Sequence, residues 1–145
     1  MAARPLHLLT IPGLFAVCKL PPAERVPTWA TAADFYSITR TQDELSVVCP
    51  EYVVPVDVRS EKGWRCLRVA GAIEFTAIGV LVSLVSPLAE KGISVFAIST
   101  FDTDYLLVKE NDWPATLTSL KCAGHTITDD ASPERTALLV GGRNT

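Results

Sequence analysis

The stretch GISVFAISTFDTDYLLV, residues 92–108, decides the fold of this chain. A glycine opens it, two β-prone runs follow at 95–101 and 105–109, and the polar pair Asp102-Thr103 lies between them. Two short β-prone runs on either side of a polar turn are typical of a β-hairpin. The stretch therefore predicts two neighbouring antiparallel strands, which need further strands and a covering layer.

The segments before this hairpin predict a strand and a helix. In 64–70 the apolar residues alternate so that Leu67 and Val69 share one face, as a half-buried strand requires. Between 76 and 90 the apolar spacing becomes helical, and Gly92 is placed to end the helix. The residues expected on its buried face are Ile78, Leu81, Val82, Val85, Leu88 and Ala89.

A second helix and a closing strand are predicted after the hairpin. Asn111 or Asp112 is a suitable N-cap, Pro114 is tolerated in the first turn, and Gly124 is placed to end the helix. Residues 125–128 then suffice for one short strand. The second half of the chain thus reads β-α-β-β-α-β.

The first half repeats this order in a reduced form. Sliding the chain on itself so that Thr39 falls on Ser99 places the β-prone runs of 35–49 on those of 95–109 without a gap. Before them, 6–9 and 14–20 predict another hairpin around Pro12-Gly13, and a proline-rich segment with a helical turn at 29–33 replaces the long helix. We expect an α+β fold of two tandem ferredoxin-like units, the first degenerate with short helices. Residues 1–60 form the first unit, 61–130 the second, and 131–145 a flexible tail.

Residues 92–108 resemble the signature of ACT domains of the kind found in tandem-ACT proteins, and Val69-Ala70-Gly71-Ala72-Ile73-Glu74-Phe75 resembles their first strand and ligand loop. The resemblance is close over 64–120 and loose over 1–60. It extends to the ACT modules of aspartate kinase and of cytosolic arginine sensors. It implies a regulatory fold that binds small molecules, usually amino acids, at interfaces between paired ACT units.

The resemblance also implies which residues contact a ligand. They belong to a Gly-x-x-Glu loop and to a Thr-Phe-x-x-Asp segment, which here are Gly71, Ala72, Ile73 and Glu74 together with Thr100, Phe101 and Asp104. In the first unit no Gly-x-x-Glu loop precedes a helix. One ligand site, in the second unit, is therefore expected.

The residue chemistry at these positions suits an amino acid. Gly71 can adopt a positive φ, and the amides that open the following helix at 75–77 favour a carboxylate. Glu74, Asp102 and Asp104 can meet an ammonium or guanidinium group, so arginine or lysine is the expected ligand. An alternative is that Gly71 is an ordinary turn, Glu74 a favourable charge at a helix start, and the two aspartates ordinary hairpin residues.

The composition excludes several other partners. The chain has 145 residues, 48% of them hydrophobic, with a formal net charge of -3, and lacks the basic surface of a nucleic-acid-binding protein. The longest uncharged stretch, 75–89, is too short and interrupted to span a bilayer, and residues 1–13 make a poor secretory signal. We expect a cytoplasmic protein without cofactor or metal.

No catalytic motif is recognisable, and an enzyme is not expected. The cysteines Cys18, Cys49, Cys66 and Cys122 form no C-x-x-C pair, so buried thiols are expected, with a disulfide framework or a zinc site as the alternative. His7 and His125 have no predicted carboxylate to orient them and are expected to be solvated or structural. A hydrolase or transferase that uses a cysteine would need a base that the sequence does not offer.

The sequence therefore predicts a non-enzymatic regulatory protein that binds an amino acid. The alternative is a ligand-free ACT-type module that dimerises or docks on a partner enzyme. Val80 and Leu84 extend the apolar face of the helix at 76–90 beyond what one sheet can cover. This predicts packing against the other unit or a second chain, in a two-fold homodimer.

Overall fold

The computed structural model describes residues 5–71 and 79–129. The predictions for Ala72, Ile73, Glu74 and the tail 131–145 lie outside the described residues. Three single-turn 3-10 helices, Thr28–Thr31, Glu51–Val53 and Glu110–Asp112, connect the longer elements. Those elements are β1 (His7–Leu20), β2 (Ser37–Arg40), β3 (Leu45–Pro50), β4 (Ser60–Val69), α1 (Val80–Glu90), β5 (Val95–Ser99), β6 (Asp104–Lys109), α2 (Trp113–Cys122) and β7 (Thr126–Asp129).

The strands form one sheet in the order β2-β3-β1-β4-β6-β5. Neighbours along this path are antiparallel, and β7 pairs parallel with the first residues of β1. The predicted α+β class with two ferredoxin-like units is confirmed. Both units share β1 and β4. The second half of β1 pairs with β3 and its first half with β7, while β4 pairs with β1 on one side and, through 64–68, with β6 on the other. A unit boundary at residues 60 and 61 stays a prediction.

The predicted hairpin at 6–9 and 14–20 is wrong, because β1 is one continuous strand of 14 residues. Its pairing with β4 shifts register between Ile11 and Phe15, and again between Phe15 and Val17. Gly13 has a φ of 93° in this irregular stretch. Pro12 and Gly13 therefore form a β-bulge, where a missing N–H and a positive φ are tolerated, and not a chain reversal.

The repeat is present, but the two hairpins align differently from the prediction. Arg40 pairs with Leu45, and Ser99 pairs with Asp104, so each hairpin closes around a four-residue turn. Arg40 is therefore equivalent to Ser99, whereas the predicted alignment places Thr39 there. The buried stretches of the two inner strands, 47–49 and 106–108, match in the same way. The shift of one residue changes which side chains of the two units are equivalent.

Helix α1 buries part of the predicted stripe, namely Leu81, Val85 and Leu88, and Leu84 in addition, whereas the predicted Ile78 lies outside the described residues. Leu84 and Leu88 are fully buried, and Leu81 and Val85 pack against the same cluster. Val82, expected inside, is 67% exposed, and Ala89 is exposed as well. Because residues 81, 84, 85 and 88 follow helical spacing, the sheet covers this stripe, and Leu84 does not extend an outer face as predicted.

His125 is buried and structural. Its Nδ1 accepts a hydrogen bond from the Leu6 N–H at 3.1 Å, and its Nε2 lies 3.2 Å from the Ser83 carbonyl oxygen. In an α-helix that carbonyl would accept from residue 87, which is proline and has no N–H. With Nδ1 as the acceptor, the Nε2–H of His125 supplies the donor that Pro87 lacks and links α1 to the start of β1.

Three of the four cysteines are buried as predicted, whereas Cys122 at the end of α2 is exposed. Cys18 and Cys49 lie on neighbouring strands and share a side-chain hydrogen bond. This bond and burial raise the pKa of Cys49 far above its usual range, so Cys49 stays protonated. The same hydrogen bond, together with Lys62, lowers the pKa of Cys18 against the opposing effect of burial.

Candidate functional site

The predicted ligand loop begins where β4 ends. Val69 is the last residue of β4 and is buried, and the Ala70 N–H donates to the His7 carbonyl oxygen at 2.8 Å. Gly71 follows with a φ of 76° and is exposed. The predicted positive φ at Gly71 is confirmed, a conformation that glycine adopts without a steric penalty.

The turn between β5 and β6 is fixed against this strand end by one buried side chain. The Thr103 hydroxyl donates to the Val69 carbonyl oxygen at 2.7 Å, and Thr103 is 5% exposed. Within the turn the Thr100 N–H donates to the Thr103 carbonyl oxygen at 2.8 Å. The Thr100 hydroxyl in turn accepts from the Thr103 N–H at 3.2 Å. The turn is therefore held rigidly beside the exit of β4.

Four of the seven predicted ligand residues are described, and all four lie at this edge of the sheet. Gly71 follows the end of β4. Thr100 and Phe101 lie in the turn between β5 and β6, and Asp104 is the first residue of β6. Asp104 is half-buried, whereas Phe101 is 79% exposed. The hydroxyl of Thr100 is already used inside the turn. Thr103, which the sequence analysis did not single out, is the residue that joins the two segments.

The helix that should offer amides to a carboxylate begins later than predicted. Gly79 is the N-cap of α1 with a φ of 79°, and the helix runs from Val80. The first N–H groups of a helix have no partner within it, and they carry a partial positive charge. The amides that open α1 are therefore those of residues 80–82, and the predicted amides at 75–77 lie outside the described residues.

The first unit has no carboxylate at the position equivalent to Asp104. When Arg40 is aligned with Ser99, Leu45 stands where the second unit has Asp104, and Leu45 is fully buried. The chain between the equivalent strand positions is also shorter in the first unit, where it runs from Leu20 to Leu45, than in the second, where it runs from Val69 to Asp104. The missing residues correspond to α1. One site per chain stays a prediction.

An arginine of the chain itself occupies the corresponding loop of the first unit. The register places Lys19 and Arg68 at equivalent positions, so Pro22 corresponds to Gly71 by counting along the chain. The guanidinium of Arg40 donates to the Pro22 carbonyl oxygen and, at 2.8 Å, to the Glu24 carbonyl oxygen. The first unit therefore shows a guanidinium bound where the second unit has its candidate ligand loop.

The comparisons with known proteins agree with this architecture. A family model described as ACT domain matches residues 59–122, and a separate model of an N-terminal domain matches residues 13–57. Protein Atu0741 from Agrobacterium tumefaciens is 41% identical, with a TM-score of 0.84 over 88% of this chain and 96% of that one. The regulatory subunit of aspartate kinase from Thermus thermophilus has a similar fold, with a TM-score of 0.54 at 10% identity over 80% of this chain and 93% of that one.

A human relative, CASTOR3P, is 31% identical over 97 residues. The match covers 58% of this chain, and the chain spans about three fifths of that protein's length. The class defined by the fold and the matches is that of proteins built from tandem ACT units. The chain belongs to the ACT-domain family.

Among the residues that the structure describes, no helix has the length and apolar character to cross a membrane. Within the same residues no three His, Cys, Asp or Glu side chains cluster as metal ligands would. His7 lies at the surface, with its Nε2 2.7 Å from the Thr128 hydroxyl. His7 thus contacts β7, and His125 contacts α1 and the residue before β1.

Proposed function

We propose that this chain is a non-catalytic regulatory protein that binds one free amino acid at the edge formed by Gly71 and the β5–β6 turn. The observation that carries the proposal is the 2.7 Å hydrogen bond from Thr103 to Val69, which holds the turn beside the loop exit. Such rigidity supports a binding site, because a ligand then pays little ordering entropy for this segment. The ACT family membership supports a regulatory role.

Each part of this edge has a chemical role in the proposal. The first N–H groups of α1, which have no partner within the helix, receive the α-carboxylate of the ligand. The half-buried Asp104 receives its cationic group through charge-assisted hydrogen bonds. The exposed ring of Phe101 offers apolar surface to the methylene chain of the ligand.

The Arg40 contacts favour a guanidinium ligand. In the first unit Arg40 binds loop carbonyls at the positions equivalent to the candidate loop, and the residue equivalent to Arg40 in the second unit is Ser99. Ser99 itself supplies no positive charge there. Free arginine supplies the same group, so arginine is the proposed ligand and lysine the next candidate.

Calorimetry on the ligand-stripped protein tests the proposal with arginine, lysine, threonine and aspartate. Asp104→Asn should weaken arginine binding about ten- to a hundredfold, since a hydrogen bond to a charged group contributes about 1.5 to 3 kcal/mol. Asp43→Asn is the matched control, because Asp43 is exposed and lies in the equivalent turn of the first unit. Tighter binding of aspartate than of arginine would contradict the polarity, and equal effects of the two substitutions would contradict the role of Asp104.

A docking module is the second candidate, and the exposed Val82 on α1 favours it. In this alternative α1 packs against a second copy of the chain or a partner enzyme, and no amino acid binds. Light scattering of the wild-type protein and of Val82→Asp distinguishes the two. Loss of a dimer in Val82→Asp, together with no calorimetric signal for any amino acid, would favour docking over sensing.

A further inference from the structure

A pocket lies beside the bulge of β1 in the first unit, away from the candidate amino-acid site. Its cavity volume is about 80 Å3. Its walls come from the β1 bulge, from the segment before β2 and from the end of β3. The residues that define its chemistry are Gly13, Leu14, Phe15, Asp34, Phe35 and Tyr52.

Aromatic rings form much of this pocket, and packing fixes two of them. Phe15 is 2% exposed and meets Phe35 edge to face, with ring centroids 5.4 Å apart. Phe35 also packs against Tyr105 of β6 at 4.9 Å, which ties the pocket wall to the second unit. Tyr52 is 78% exposed. The pocket thus has a rigid aromatic interior and one solvent-exposed ring at its wall.

The electrostatics of the pocket favour a cation. Asp34 is its carboxylate, and among the described residues that line it none is lysine, arginine or histidine. Aromatic faces are electron-rich and attract cations, more strongly where water is excluded.

We propose that this pocket binds a small organic cation, namely a primary amine or guanidinium carried on a short apolar body. The body packs on Phe15 and Phe35, and the charged group pairs with Asp34. An anion is disfavoured by the carboxylate and by the ring faces alike. The pocket shares no residue with the Gly71 and Asp104 edge, so the two sites are separate.

Three probes that share one aromatic body test the proposal by charge alone: phenethylamine, 2-phenylethanol and phenylacetate. Calorimetry on the wild-type chain should give the tightest binding for the amine, at least about tenfold tighter than for phenylacetate. Asp34→Asn should reduce the affinity for the amine to that for the alcohol and leave the alcohol unchanged. Tyr52→Ala should weaken both the amine and the alcohol.

The control is Asp57→Asn, which removes an exposed carboxylate that does not line the pocket. It should leave all three affinities as in the wild type. A urea unfolding curve checks that the Asp34→Asn variant folds. Any one of three results would overturn the proposal. They are equal binding of amine and phenylacetate, no binding of any probe at millimolar concentration, and a folded Asp34→Asn variant that binds the amine normally. Calorimetry of arginine binding to Asp34→Asn shows whether the Asp104 site still binds arginine. It therefore separates failure of the pocket proposal from failure of the proposed arginine site.

Discussion

Substitution of His125 tests how α1 is held on the sheet, because His125 gives the Ser83 carbonyl the donor that Pro87 lacks. His125→Phe keeps an aromatic ring in the buried space but removes both hydrogen-bonding nitrogens. The Leu6 N–H and the Ser83 carbonyl then lose their partner. A buried polar group left unsatisfied costs about 1 to 3 kcal/mol, so the free energy of unfolding should fall by about 2 to 6 kcal/mol.

The proline makes the Ser83 part of this loss recoverable. Pro87→Ala gives residue 87 an N–H that can donate to the Ser83 carbonyl along the helix. In the His125→Phe background this donor replaces the missing one, whereas in the wild type the carbonyl already has a partner. The double-mutant cycle should therefore give a coupling energy of about 1 kcal/mol or more.

Urea denaturation followed by tryptophan fluorescence measures the four proteins of the cycle. His7→Phe is the control, because His7 is exposed, and its cost should stay within about 0.5 kcal/mol. Additive effects of His125→Phe and Pro87→Ala, within about 0.3 to 0.5 kcal/mol, would refute the reasoning. So would a His125→Phe variant as stable as the wild type.

Three further predictions concern stability. Thr103→Val keeps the side-chain shape but leaves the Val69 carbonyl oxygen without its 2.7 Å donor, so urea unfolding should show a loss of about 1 to 3 kcal/mol together with weaker arginine binding. Gly71→Ala should cost about 1 to 2 kcal/mol through its φ of 76° alone, since no atom lies within 4 Å of an added Cβ; an unchanged unfolding curve would contradict this. Because the hydrogen bond to Cys18 and burial raise the pKa of Cys49, the native thiol keeps its proton above about pH 8.5, while the unfolded thiol loses it. The unfolded chain then releases a proton that the native chain holds, so stability should fall by about 1.4 kcal/mol per pH unit in urea titrations at alkaline pH, and a flat profile there would contradict this.

The second unit was predictable because its turns and its strand and helix periods agree with each other. Gly92 ends α1 as expected, and its N–H donates to the Ala89 carbonyl oxygen at 3.0 Å. The buried face of α1 was predicted only in part, since a helix that is apolar around most of its circumference does not indicate which stripe the sheet covers. Leu84 and Val82 are both apolar, and only packing against the sheet distinguishes them.

The first unit was harder to predict because long-range pairing overrides local signals. Pro12-Gly13 is typical of a turn, but β3 and β4 hold the chain extended on both sides of it. The repeat was displaced by one residue because the runs 45–49 and 105–108 are almost continuously apolar, with too little alternation to fix their register.

Neither the Thr103 bond nor the aromatic pocket has a sequence signal of its own. The Thr103 hydroxyl reaches a carbonyl 34 residues earlier in the chain. Phe15, Asp34 and Tyr52 come from three separate segments that only the sheet brings together. Such features depend on tertiary contacts, which composition and periodicity do not contain.

Mapping of arginine binding by amide chemical shifts tests the central claim most directly, because the chain carries its own control. The turns 41–44 and 100–103 have the same length and each begins with a threonine, but only the second precedes a carboxylate, Asp104. Titration of the labelled, ligand-stripped protein with arginine should shift the amides of Gly71 and of residues 100–104, and leave those of 41–45 in place. Shifts of equal size in both turns, or none at 100–104, would contradict the account.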